Sequence, residues 1–263
     1  MKRKARRGPQ LDYSIQALQR GLQVLDVLLD VGTPLSMEQI SAHTGLPKST
    51  AFRVIVNLLQ GQYLTQTDQG YWLGLKLLRL GTLVEERLEL TQQARPLLIQ
   101  LRDQVNETAH LGVLDDDLRV VYIDKLSTQH VVGLMASRIG STAPMHCTAL
   151  GKAMAAFRPE GEIREWIHHN GLIALTEATI VDEETFLREL RRVRSLGYAV
   201  DNGEFEASVR CVAAPIRDRT AGVIAAVSVS GPATRMPNPL TGSAMAMQVV
   251  EAAQRISQAL GYS

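Results

Sequence analysis

The sequence predicts an α+β chain: an N-terminal winged helix-turn-helix, a linker helix, and a larger C-terminal domain with a mainly antiparallel sheet. Three observations carry this reading. Residues 15–105 are spaced as helices, apart from one short hairpin near residues 63–73. From Thr108 onward, short runs of β-type residues alternate with turn residues and further helices. Charge is divided along the same line: residues 1–80 hold ten Lys/Arg against five Asp/Glu, and residues 81–263 hold eighteen against twenty-two. A formal net charge of +1 hides this asymmetry, which suggests an anion-binding module joined to a module of another kind. A basic tail explains it equally well, because residues 1–10 carry five cations.

At 263 residues the chain is long enough for two domains, each with its own core. Hydrophobic residues make up 45% and charged residues 21%, an ordinary globular composition. The longest uncharged stretches, 220–234 and 236–250, contain Gly, Pro and polar residues. No transmembrane helix is therefore expected. The basic start lacks an apolar stretch of the secretory kind, and two cysteines make no disulfide framework, so a cytoplasmic protein is expected. The expected division is a basic tail at 1–12, the winged helix-turn-helix at 13–75, the linker helix at 76–90 and the second domain at 91–263.

The first helix runs from Ile15 to Val31, with Leu18, Leu22, Leu25 and Leu29 as the apolar stripe of an amphipathic helix. Gly32-Thr33-Pro34 ends it. Ser36 opens a second helix and forms a capping box with Gln39. Gly45 stops that helix, and Pro47 fits the first turn of a third. Two short helices joined by so tight a turn are the helix-turn-helix signal. The third helix buries Ala51, Val54 or Ile55, Leu58 and Leu59. Its other face carries Lys48, Ser49, Thr50, Arg53 and Asn57. These side chains can donate to phosphates and base edges, and Arg53 can pair with guanine; a merely solvated polar face is the competing reading. Tyr63–Gln66 and Tyr71–Leu73, joined by Thr67-Asp68-Gln69-Gly70, form the wing.

The segments Gln16–Leu25 and Gly45–Arg53, and the wing with Tyr71, Leu73 and Gly74, resemble the IclR family of bacterial transcription regulators. The resemblance extends from Gln16 to Gly261. It includes Pro144–Ala153, Gly197–Asp201, Arg210–Pro215 and Ser228–Pro232. It implies a GAF-like effector-binding domain that takes a small organic acid, and a DNA operator as partner. The family's pocket positions fall on Asp201, Cys211, Ser228, Ser230 and the Ala149-Leu150 backbone, with Val132 and Met135 as apolar wall. The DNA-contact residues expected from the helix-turn-helix itself are Lys48, Ser49, Thr50, Arg53 and Asn57, with Ser36 at the start of the second helix. Two positions depart from the family pattern: Asn202-Gly203 precedes Glu204 where acidic residues are usual, and Ser208 replaces a usual Gly. His110–Asp115 and Tyr122–Lys125 are similar to members that sense sugar-acid breakdown products.

The residues leave other readings to weigh. Leu75–Leu90 and Thr91–Val105 are helical, with Pro96 expected in the first turn of the second piece; they link the domains and join dimerisation, or are plain core helices. Ala109–Leu114, Leu118–Ile123 and Val131–Ser137 read as strands, with Asp115-Asp116-Asp117 as a turn rather than a metal loop. A phosphate loop at 146–153 fails, because His146 and Ala153 stand where Gly and Ser/Thr are needed. His146, Cys147 and Cys211 are the right types for zinc or for a nucleophile but lack the spacing. A helix entered near Thr148 can meet a carboxylate at its N-terminus. Asp182–Leu196 is a helix with Phe186, Leu187, Leu190 and Val193 inside and Arg188, Arg191, Arg192 and Arg194 on a solvated face. Ser228 and Ser230 share one strand face, as do Cys211 and Ala213. The expected protein is a dimer or tetramer that binds a roughly palindromic operator, a repressor in preference to an activator, without metal, cofactor or membrane. The rivals are an enzyme acting through Cys147 or Cys211, and a ligand sensor with a protein partner.

Overall fold

The computed structural model describes residues 15–86, 89–128 and 137–262. They fall into two compact units, within Met1–Arg87 and Leu88–Ser263.

The first unit contains α1 (Gln16–Val31), α2 (Met37–Thr44), α3 (Lys48–Gln60), β1 (Leu64–Thr67), β2 (Gly70–Leu73) and α4 (Leu75–Glu86). Gly32 closes α1 at φ 70°, and Gly45 closes α2 at φ 67°. Both are left-handed positions that favour glycine. The capping box is present: Ser36 accepts from the Gln39 N–H, and the Gln39 side chain accepts from the Ser36 N–H at 2.8 Å. Three helices and a hairpin close around Val24, Leu28, Leu35, Ile40, Ile55 and Leu64. Leu35 bridges Tyr71, which makes a third short strand of the wing. That approach demands Gly70, since a Cβ there would stand 2.4 Å from the Leu35 carbonyl oxygen.

Val24 and Leu28 of α1 are buried in this core and Leu25 packs half-buried against it, while Leu18, Leu22 and Leu29 are 59%, 52% and 61% exposed. Spacing identified an apolar stripe, and the structure buries only its Leu25 edge, with Val24 and Leu28 beside it. Four leucines of α4, at 75, 78, 80 and 83, are exposed as well.

The second unit contains α5 (Glu89–Val105), β3 (Thr108–Leu114), β4 (Val120–Leu126), β5 (Thr142–Ala143), α6 (Ala149–Ala155), α7 (Glu160–Asn170), α8 (Glu183–Leu196), β6 (Ala199–Asn202), β7 (Val209–Arg217), β8 (Val223–Pro232) and α9 (Ala244–Ala259). Its sheet has the order β5-β4-β3-β8-β7-β6, with every pair antiparallel. One face packs Val212, Val227 and Val229 against Leu98 and Leu101 of α5 and Ile256 of α9. The other packs Ala213 and Ala226 against Ala153 of α6 and Phe186 and Leu190 of α8. Two ion pairs pin its elements: one Arg95 nitrogen meets both oxygens of buried Asp124, and Arg235 forks onto buried Glu107 through two nitrogens.

Three local findings refine the expectations. Pro96 lies inside α5, not in a first turn, because the helix already begins at Glu89. Asp115 makes the turn of the acidic triplet, its Oδ1 accepting the N–H groups of Asp117 and Arg119. The expected strand at Val131–Ser137 falls outside the described residues up to 136, and Ser137 itself is not in a strand.

Candidate nucleic-acid interface and ligand cavity

In the first unit, α3 presents one polar face. Lys48, Ser49, Arg53 and Asn57 are exposed, and Thr50 is half-buried. Asn57 donates to the Arg53 carbonyl at 2.7 Å, and Arg53 Nε donates weakly to the Ser49 carbonyl at 3.4 Å. Lys48 lies 3.7 Å from Glu38, whose carboxyl is held below its usual range by backbone and Ser36 hydrogen bonds. Ser36 is placed differently from the others: its hydroxyl caps α2 and donates to Glu38 at 3.1 Å. Beside this face, α1 and α3 border a groove of about 710 Å³ lined by Arg20, Leu22, Thr50 and Arg53 among others. Arg20 therefore stands near the expected contact residues, although helical periodicity gave it no special place.

In the second unit, strand register builds a small cavity. Asp201 pairs with Cys211, and Cys211 with Ser230, so all three lie in a row on one sheet face. They border a cavity of about 110 Å³ with His110, Tyr122, Ser137 and Glu206. His110 is 2% exposed; its Nε2 lies 2.9 Å from the Ser137 hydroxyl and its Nδ1 3.5 Å from that of Ser230. The Tyr122 ring is 5.3 Å away. Ser228 shares the face two residues along but does not line the cavity; nor do Ala149 and Leu150, which begin α6 behind the Thr148 cap. Val132 and Met135 lie outside the described residues.

The Asn202-Gly203 departure acquires a geometry. Gly203 turns at φ 80°, and the Glu204 N–H donates to Asp201 Oδ1 at 2.7 Å. Thr176 and Thr179 hold the Gly203 and Glu204 carbonyls, each at 2.6 Å. The turn carries Phe205 and Glu206 to the cavity and drives the Glu204 carboxylate onto buried Lys152 of α6. Glu204 Oε2 has no partner among the described residues.

Burial sets the protonation states here. It pushes the Asp201 carboxyl up to about 7, against the pull of the Glu204 N–H and Lys152. It lowers His110 to about 3, helped by Lys125. It raises both thiols, Cys147 to about 12 and Cys211 well above its ordinary value. A thiol nucleophile reacts as the thiolate, and burial at both cysteines disfavours that form.

The two cavity groups have opposite consequences for stability. Folded His110 refuses a proton that the unfolded chain accepts, so its contribution is lost as pH falls from 6.5 toward about 3. Folded Asp201 keeps a proton that the unfolded chain releases, so its contribution is lost as pH rises from 3.8 toward about 7. The slopes oppose each other over the shared range. Asp201→Asn keeps the acceptor oxygen and removes one slope. Thermal unfolding of that variant is expected to show Tm rising more steeply between pH 4 and 6.5 than in the parent; an unchanged profile would mean Asp201 ionises normally.

Comparison with known proteins follows the same two-part division. Residues 17–68 match the IclR helix-turn-helix domain, and residues 82–258 match the bacterial transcriptional regulator IclR C-terminal domain. The chain is 34% identical over 250 residues to the HTH-type transcriptional regulator XynR of Escherichia coli (strain K12), covering 94% of this chain and 98% of that protein. It is 30% identical to the transcriptional repressor IclR of the same organism, covering 94% and 90%. Among solved structures, an IclR homolog complexed with 4-hydroxybenzoate from Microbacterium hydrocarbonoxydans is similar with a TM-score of 0.80, at 28% identity, covering 93% of this chain and 98% of that one. A helix-turn-helix with a polar third helix, followed by this sheet domain and these matches, makes the chain a member of the IclR family of DNA-binding bacterial transcriptional regulators.

Proposed function

We propose that the protein is a dimeric cytoplasmic repressor whose hold on a roughly palindromic operator is controlled by a small organic acid bound in the second unit. The observation that carries this reading is the exposed polar face of α3 beside a wing. Lys48, Ser49, Thr50, Arg53 and Asn57 make the DNA contacts; Ser36, though occupied as a cap, lies at the same edge through α2. Phosphate contacts position the helix, and Arg53 reads a base. The IclR protein of Escherichia coli is named a repressor, which supports that direction here.

The effector reading rests on the cavity around Asp201, Cys211 and Ser230. Its polar lining is rich in hydroxyls, and its size admits a compact molecule. A hydroxy acid of the sugar-acid catabolite type suits both, and the family resemblance adds Val132 and Met135 as apolar wall; Ser228, Ala149 and Leu150, also implied by that resemblance, do not line this cavity. The homologue that carries 4-hydroxybenzoate supports an organic acid as the ligand class. Buried, protonated thiols support a regulator in place of an enzyme. The effector acts by its difference in affinity for DNA-competent and DNA-incompetent arrangements.

The dimer reading rests on the exposed leucines of α1 and α4. Large apolar side chains exposed in such number on two helices of one unit are expected to be covered by a partner. A two-fold dimer presents two copies of α3 to two half-sites.

Arg53→Ala tests the DNA assignment. Operator binding is expected to weaken by about 1–3 kcal/mol with relaxed preference at one base position. Unchanged affinity in a competitive binding assay would remove Arg53 from the interface.

A further inference from the structure

The charge around the effector cavity opposes the ligand class assigned to it. Asp201 and Glu206 both line the cavity, and among the described residues no Lys or Arg does. Residues 129–136 hold no Lys or Arg either. His110, in the lining, is kept neutral by burial. Two lysines act on these groups from outside the lining, and each is already opposed. Lys152 of α6 is paired with Glu204 inside the unit. Lys125 of β4 donates to the Ser137 carbonyl at 2.5 Å and is set against the Glu206 carboxylate. An anion entering this cavity thus meets two carboxyl groups and no free cation. Carboxylates that share a buried site repel strongly enough that one of them takes up a proton.

Asp201 is the carboxyl placed to do so. It is 2% exposed, and its Oδ1 accepts the Glu204 N–H at 2.7 Å, which leaves Oδ2 to carry a proton. Cys211 of β7, Tyr122 of β4 and Cys147 ahead of α6 act on it as neutral groups, because burial keeps their thiols and hydroxyl protonated. Burial raises the Asp201 carboxyl most, the Glu204 and Phe205 N–H groups and Lys152 pull it down, and the Glu204 carboxylate pushes it up; the balance stands at about 7. Glu206 is raised by burial too, but it is only half-buried and Lys125 holds it down.

We propose that the effector enters together with one proton from solvent, held on the Asp201 carboxyl, which donates it in a hydrogen bond to the effector's carboxylate. This rests on the reading of the cavity as the organic-acid site. Asp201 gains the proton that the buffer loses, and the two carboxyl groups bind as a pair with one negative charge instead of two. Effector affinity therefore rises as the solution becomes more acidic.

The probes are glycolate, lactate and glycerate, each ionised throughout pH 6–8 and each titrated calorimetrically into the full chain. For an acid that binds, Kd is expected to rise about tenfold from pH 6 to pH 8, following the protonated fraction of a group at about 7. Titration in buffers of different ionisation enthalpy is expected to show uptake of about half a proton per ligand at pH 7 and nearly one at pH 8. Asp201→Asn carries an N–H donor in place of the proton, so its Kd is expected to be the same at both pH values, without uptake. Glu206→Gln is expected to keep the parent's uptake. Binding by the parent with a flat pH profile and no uptake would overturn the proposal and leave the organic-acid reading standing. Uptake that persists in Asp201→Asn and disappears in Glu206→Gln would put the proton on the other carboxyl and overturn it as well. No binding of any of these acids at pH 6 would remove the hydroxy-acid reading of the cavity, and the proposal with it.

Discussion

Lys152→Met is expected to lower unfolding stability by about 3–5 kcal/mol, the usual effect of stripping one partner from a buried ion pair. Lys152 is 1% exposed, and its ammonium meets the Glu204 carboxylate inside the unit. Removing the ammonium leaves a buried carboxylate that already has one oxygen without a partner. Replacing both residues, as in Lys152→Met/Glu204→Leu, is expected to recover most of the loss, because two apolar groups of similar volume need no partner. Denaturant unfolding of the two single variants and the double variant reads this directly. Additive losses in the double variant would show that the two side chains do not act as a pair. The effect also bears on function. Glu204 sits in the turn that brings Phe205 and Glu206 to the cavity, so Lys152→Met is expected to weaken effector binding along with stability.

Leu75→Asp/Leu78→Asp is expected to turn the proposed dimer into a monomer with little loss of fold. Both side chains are more than half exposed, and neither belongs to the core of the first unit. An aspartate pair in an apolar self-contact costs desolvation and brings like charges together. Each half-site would then be bound independently. Affinity for the full palindrome is expected to fall by roughly 10²–10⁴, the usual gain from linking two binding modules. Sedimentation gives the mass, and titration with full and half operators gives the affinity ratio. A variant that stays dimeric with parental operator affinity would place the interface elsewhere.

The first unit was readable in the sequence to the residue in several places because its signals are local. Ser36 with Gln39, Gly45, and Pro47 at the head of α3 each act through backbone chemistry within a few positions. The α1 stripe was readable as apolar but not in its destination. Periodicity reports that Leu18, Leu22 and Leu29 share a face, and it is silent on whether that face meets its own domain. The cavity was readable only along its strands. Asp201, Cys211 and Ser230 fall into one row because of inter-strand register. His110 sits in a strand run that resembles sugar-acid sensors, but spacing alone does not place its ring in the cavity. Glu206 arrives through the Gly203 turn, which depends on contacts from Thr176 and Thr179 far away in sequence. Same-face spacing linked Ser228 with Ser230 but could not tell which of them borders the opening. Pro96 misled for a related reason: it is tolerated inside α5, where a sequence rule prefers a helix start.

The account stands or falls on sequence-specific DNA binding by the purified full chain. The measurement is titration of the DNA upstream of its own gene, near physiological salt, with excess unrelated DNA competing. Non-specific binding by basic residues weakens steeply under these conditions. The predicted result is a competitor-resistant complex that protects a roughly palindromic site and is lost or relaxed in Arg53→Ala. Competitor-sensitive binding alone, indifferent to Arg53→Ala across a library of genomic fragments, would contradict the account.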